Sequence, residues 1–170
     1  AESHRRVMVL EVMGRYAGWI ALFAGIAGGA DVILIPEIPF TYESVCKKIQ
    51  DRETAGKHFT IVVVAEGARA VGEDFVTTGS QATNRAARLG GIGAAVATEI
   101  EARTGKESPA CVLGHLQRGG SPTPFDRALC SVFGAHAVEL VAANDFGKMV
   151  AFLGSRVDAI PISAAVGKLK

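Results

Sequence analysis

The residues of this sequence best suited to chemistry sit in one run, Leu113–Arg127, LGHLQRGGSPTPFDR. It holds His115, Arg118 and Arg127, a Gly-Gly pair and a Ser-Pro-Thr-Pro turn, directly after the apolar run Ala110–Leu113. Guanidinium groups match the paired oxygens of a phosphate, and glycines let backbone N–H groups approach it closely. A buried strand ending in His and Arg would hold these donors at the mouth of an α/β sheet, where ligands of open sheets bind. The expected chemistry is recognition of an anion such as a phosphate ester.

Two more apolar runs end in punctuation of the same kind. Arg6–Val12 leads into Met13-Gly14-Arg15, and Phe59–Ala65 leads into Glu66-Gly67. Singly, each has an ordinary reading: Met13 as core filler, Arg15 as a solvated side chain, Glu66 as a loop ion-pair partner, His115 as a structural histidine. Jointly they place two Arg, one Glu and one His at one edge of a sheet. Arg suits a phosphate, and a carboxylate beside it suits sugar hydroxyls, which are donors. The set reads as a sugar-phosphate pocket.

Elements must position these ends. The sequence predicts strands at Arg6–Val12, Val32–Pro36, Phe59–Ala65, Pro109–Gly114 and Lys148–Gly154, with a short return strand at Val157–Pro161. Helices are expected over Tyr16–Gly29, from Thr41 to about Gly56, over Asn84–Arg103 and over Phe125–Ala143. The first is apolar all round and reads as buried, whereas Ala68 to about Ala82 is polar and reads as an exposed loop. Strands alternating with helices imply an α/β fold, a three-layer α/β/α arrangement around a mostly parallel, Rossmann-like sheet. A chain of 170 residues with no repeat or linker is counted as a single domain.

Composition narrows the function. The net charge is +1 with no basic block, so no nucleic-acid or membrane partner is expected. The longest apolar stretch, Trp19–Ala27, is too short to span a bilayer. Cys46, Cys111 and Cys130 are widely spaced and odd in number, which reads as apolar filler in a reducing compartment rather than as zinc ligands. With no leader pattern at the start, a cytoplasmic protein is expected. No GxGxxG follows the first strand, so a dinucleotide-binding role is a poor fit.

Four stretches together, Leu10–Gly18 (LEVMGRYAG), Gly28–Glu37 (GGADVILIPE), Val62–Gly67 and Val112–Arg127, resemble the C-terminal half of the 6-phosphofructokinases. The resemblance runs in the right order over nearly the whole chain. It implies transfer of a phosphoryl group from ATP or pyrophosphate to the 1-hydroxyl of fructose 6-phosphate, with Mg²⁺ in the full-length enzyme. It implies that Met13, Gly14 and Arg15 line the sugar phosphate and the transferring group, with Arg15 stabilising developing charge. Glu66 would accept hydrogen bonds from sugar hydroxyls, and His115 and Arg118 would hold the 6-phosphate. Arg6 matches an arginine that reaches a neighbouring subunit's sugar site, which implies a homo-oligomer with shared active sites.

This sequence departs from the family pattern in places. A second inter-subunit arginine is expected six residues before His115, where Pro109 stands; Lys106 is a conceivable substitute. A vestigial effector-nucleotide site would use Gly29, Asp31 and Lys57, but Ala55 replaces its first basic residue, which argues against nucleotide regulation there. The long loop after Glu66 is similar to the branch that includes pyrophosphate-dependent and non-allosteric members. The family's glycine-rich donor site and Thr-Asp-x-Asp base have no counterpart in these residues. The chain is therefore expected to be a fragment that supplies the sugar-phosphate site, inactive alone and with the magnesium ligands elsewhere. The competing reading is a stand-alone regulatory domain that senses a sugar phosphate without catalysis.

Overall fold

The structure, a computed structural model, describes residues 5–77 and 89–166. It divides into two compact units, Ala1–Arg118 and Gly119–Lys170.

The first unit contains β1 (Val7–Val12), α1 (Trp19–Ala27), β2 (Val32–Leu34), α2 (Tyr42–Thr54), β3 (Thr60–Ala65), α3 (Ile92–Thr104) and β4 (Ala110–Val112). The four strands form one sheet in the order β2-β3-β1-β4, with every pairing parallel. Parallel crossovers share a right hand, so the face taken by each helix follows the direction of travel across the sheet. The chain steps one way through α1 and back through α2 and α3. Accordingly, Val45, Cys46 and Ile49 of α2 join Ile92, Val96, Ala97 and Ile100 of α3 against Val7, Val9, Val62 and Val64. Ala21 of α1 packs on the other face, with Val12, Val63 and Ala65. The strand period of two separates the two sets, giving the expected three-layer α/β fold.

Several local expectations are corrected. Helix α1 is not buried all round: among its residues only Ala21 and Gly25 are buried, while Trp19, Ile20, Phe23 and Ile26 are exposed. A Cβ on Gly25 would lie 2.7 Å from Ile33 Cδ1, so small residues bring the helix close to β2 and the large ones are left outward. Strand β4, expected to be buried, is the sheet's edge and all three of its residues are exposed. The filler reading of the cysteines suits Cys46 alone, whose thiol burial pushes up in pKa; Cys111 and Cys130 are exposed. Within the expected loop after Glu66, Ala68 and Ala70 are buried and Ala70 bridges to Phe40, while residues 78–82 lie outside the described residues. Residues 84–88 of the expected third helix also lie outside them. Helix α3 begins only at Ile92, because its N-cap, Gly91, sits at φ 89°.

The second unit contains α4 (Pro124–Ala142), an antiparallel hairpin of β5 (Lys148–Leu153) and β6 (Arg156–Pro161), and the short α5 (Ile162–Val166). The Ser-Pro-Thr-Pro-Phe-Asp part of the motif is a helix start. Thr123 and Asp126 form a reciprocal capping box with Pro124 in the first turn. Hydrogen bonds from Thr123 hold the Asp126 carboxyl below its ordinary pKa.

Ile100 is fully buried where α3 meets the sheet. Ile100→Ala should lower the unfolding free energy by about 3 kcal/mol in a denaturant titration. A loss under about 1 kcal/mol would contradict this packing.

Candidate functional site

Because β1, β3 and β4 are parallel, their carboxyl ends share one edge of the sheet. The chain leaving β1 turns to α1 on one face, and the chain leaving β3 runs to α3 on the other. That divergence opens a crevice between adjacent strand ends, the usual ligand position in such sheets. A cleft of about 430 Å³ lies there, lined by Met13, Arg15, Glu66 and His115 together with Glu11, Val12, Val112, Gly114 and residues 89–91.

The two central turns are bonded to each other. Glu66 N donates to Val12 O at 2.9 Å, and Gly67 N donates to Gly14 O at 3.0 Å. Gly14 adopts φ 148°, and its N–H donates to Glu66 Oε1 at 3.4 Å. A Cβ on Gly67 would collide with the Arg15 carbonyl, so glycine is required for this approach. Beyond β4, a 3₁₀ turn over Gly114–Arg118 presents His115. Gln117 locks this turn to β1: its Oε1 accepts from Met13 N at 3.3 Å, and its Nε2 donates to Gly114 O at 3.0 Å. The Arg15 guanidinium lies 5.7 Å from the Tyr16 ring centroid, and Tyr16 meets Phe75 edge-on at 6.3 Å. Cation, imidazole and carboxylate side chains thus line one concave surface, an arrangement able to hold a phosphorylated polyol.

Met13, Gly14, Arg15, Glu66 and His115 are brought together here. Arg118 ends the 3₁₀ turn, is exposed and lies outside the cleft lining. Arg6 precedes β1, at the amino edge of the sheet, with Nε 2.6 Å from Glu107 Oε2 and a half-buried side chain. Lys106 lies at the same edge, 2.6 Å from Glu53, and its hydrogen bond holds the Glu53 carboxyl below its ordinary pKa. Asp31 and Lys57 also sit at the amino edge. Asp31 pairs with Arg52 at 2.8 Å and accepts from Ile61 N at 2.9 Å, whereas Lys57 is exposed beyond Gly56. Gly29 closes α1 at φ 69°.

Glu11 and Gln117, which lie inside the quoted motifs without an expected role, and the wall at 89–91 are further site residues. Glu11 left a signal, as the one charged residue inside the apolar run of β1. Among the described residues no three His, Cys, Asp or Glu side chains are grouped to hold a metal ion. Both carboxylates lining the cleft, Glu11 and Glu66, already accept hydrogen bonds from backbone amides. Among the described residues, then, no ready-made set of magnesium ligands is present.

A sequence model described as phosphofructokinase matches residues 1–141. The chain belongs to the phosphofructokinase family. This phosphofructokinase-family chain is 54% identical over 169 residues to an ATP-dependent 6-phosphofructokinase of Chloroflexus aggregans, covering 99% of this chain and 46% of that protein. It is 52% identical over 171 residues to a pyrophosphate–fructose 6-phosphate 1-phosphotransferase of Amycolatopsis methanolica, covering 100% of this chain and 50% of that protein. The phosphofructokinase structure from Saccharomyces cerevisiae superposes with a TM-score of 0.80 at 31% identity, over 98% of this chain and 21% of that one. The chain spans about half the length of the curated relatives it matches.

Gly67→Ala should force the Gly14–Arg15 and Glu66–Gly67 turns apart, with a stability loss of about 1–3 kcal/mol. Thermal unfolding of the variant checks this, and an unchanged midpoint would contradict the tight turn-to-turn packing.

Proposed function

We propose that this chain supplies the fructose 6-phosphate pocket of a 6-phosphofructokinase, with ATP or pyrophosphate as phosphoryl donor. The observation that carries the proposal is the convergence of Met13, Arg15, Glu66 and His115 on one cleft at the carboxyl edge of the sheet. Both donors are named among relatives of nearly equal similarity, 54% and 52% identical.

In this proposal the sugar lies across the ends of β1 and β3. Glu66 accepts from its hydroxyls, and Gly14 admits close backbone approach. The 1-hydroxyl oxygen bonds to the terminal phosphorus of the donor as the donor's bridging P–O bond breaks. Negative charge accumulates on the departing and transferring oxygens, and the Arg15 guanidinium meets it there. The base that takes the hydroxyl proton belongs, in this proposal, to the other half of the enzyme. His115 and Arg118 hold the 6-phosphate at the end of the 3₁₀ turn, with Arg118 swinging in from its exposed position when the phosphate arrives.

A homo-oligomer is part of the same proposal. Arg6 sits at the sheet edge away from its own cleft, and its side chain is 34% exposed. That position suits delivery of a cation to a neighbouring subunit's pocket. Pro109 cannot supply charge, and both nearby cations are paired within the chain, Lys106 with Glu53 and Arg6 with Glu107, each at 2.6 Å; in this proposal Arg6 exchanges Glu107 for the neighbouring pocket.

Kinetics of the full-length protein test the assignment. Arg118→Ala should raise the KM for fructose 6-phosphate at least tenfold, about 1.4 kcal/mol of lost binding. Arg15→Ala should depress kcat at least a hundredfold, about 2.7 kcal/mol of transition-state stabilisation. Unchanged KM in the first variant would remove Arg118 from the pocket, and normal turnover in the second would remove Arg15 from the reaction.

A further inference from the structure

Glu11 is the one charged residue that is buried among the described residues, with 3% exposure. A carboxylate so deep carries a large desolvation cost unless it is bonded. Its partners are backbone amides. Oε1 accepts from Gly91 N at 3.3 Å, and Oε2 accepts from Gly93 N at 2.8 Å. These are donors at the N-terminus of α3, whose own N-cap residue is a glycine with no side chain to accept from them. The helix is therefore capped from another element, across the sheet-to-helix gap. The fit is tight: a Cβ on Gly93 would lie 2.9 Å from Glu11 Cβ and 3.0 Å from Oε2.

The segment so held is Leu89-Gly90-Gly91, a wall of the same cleft that Met13, Arg15 and Glu66 line. A glycine-rich start, Gly90-Gly91-Ile92-Gly93, at the positive end of a helix has the makings of an anion cradle. Here a protein carboxylate already fills it. Glu11 stands on β1, two residues before Met13, so one strand carries both the wall's tether and the turn that holds Arg15.

We propose that Glu11 is a positioning residue for the pocket. It pins the 89–91 wall to β1 and occupies the α3 amides, so that a phosphate group is directed to the Arg15 and His115 side. This inference rests on the sugar-phosphate reading of the cleft. Its structural part, the tethered wall, is measurable without any substrate.

The test uses the full-length protein with two variants that break one contact from opposite sides. Glu11→Gln removes the charge, and Gly93→Ala leaves Glu11 in place while pushing it from the amide. In both, amide hydrogen exchange over residues 89–95 should quicken at least tenfold, and KM for fructose 6-phosphate should rise at least fivefold, carrying most of the loss in kcat/KM. In Glu11→Gln alone, inorganic phosphate should become an inhibitor competitive with fructose 6-phosphate, at least fivefold tighter than in the parent. Unchanged exchange in a folded variant overturns the tether. Faster exchange with unchanged KM and unchanged phosphate inhibition leaves a purely structural cap and overturns the positioning role. If Glu11→Gln does not fold, Gly93→Ala decides the exchange and KM outcomes. A parent that does not use fructose 6-phosphate sinks the sugar-phosphate reading and the positioning role built on it, while exchange still decides the tether.

Discussion

The site depends on one backbone constraint, the contact between the turn that leaves β1 and the turn that leaves β3. Gly67 lies against the Arg15 carbonyl with no room for a side chain, and its N–H is bonded to Gly14 O at 3.0 Å. Three of the side chains that line the cleft hang from this junction. Arg15 and Met13 come from one turn and Glu66 from the other, so their separation is set by two short peptide segments rather than by flexible side chains. A preorganised arrangement of this kind matters most for charge stabilisation, because donors already aimed at developing charge need no reorganisation during reaction.

The junction is in turn held by the layers around it. Strands β1 and β3 are paired in register from Val7–Thr60 to Val12–Ala65, which brings both turns to the same level. Helix α3 and its larger apolar cluster cover one face. On the other face, α1 approaches closely through Ala21 and Gly25. Two polar side chains extend the frame to the cleft's flanks. Gln117 ties the 3₁₀ turn that carries His115 to β1, and Glu11 ties the 89–91 wall to the same strand. Strand β1 is thus the common support: its end, and the residues bonded to it, reach all sides of the pocket.

The near-continuous apolar runs and their polar ends were legible in the sequence, and with them the parallel α/β architecture and the meeting of Met13, Arg15, Glu66 and His115. What escaped the sequence has physical causes. An apolar run says nothing about its place in a sheet, so β4 read as buried although it forms the edge. An all-apolar helix hides which of its faces packs; in α1 the small residues, not the large ones, face the sheet. The motif Leu113–Arg127 reads as one chemical unit, yet it splits between a 3₁₀ turn bearing His115 and a capped helix start at Thr123–Asp126. Glu11 was visible as a charge in a strand, but its partners lie some eighty residues away on α3, and only the fold brings them together.

The most direct measurement is a crystal structure of the full-length protein grown with fructose 6-phosphate. The account predicts sugar-phosphate density in the cleft at the carboxyl ends of β1, β3 and β4, with sugar hydroxyls on Glu66 and phosphate oxygens on the His115 turn. Density instead at the amino edge of the sheet, near Asp31 and Lys57, with the cleft empty, would contradict it.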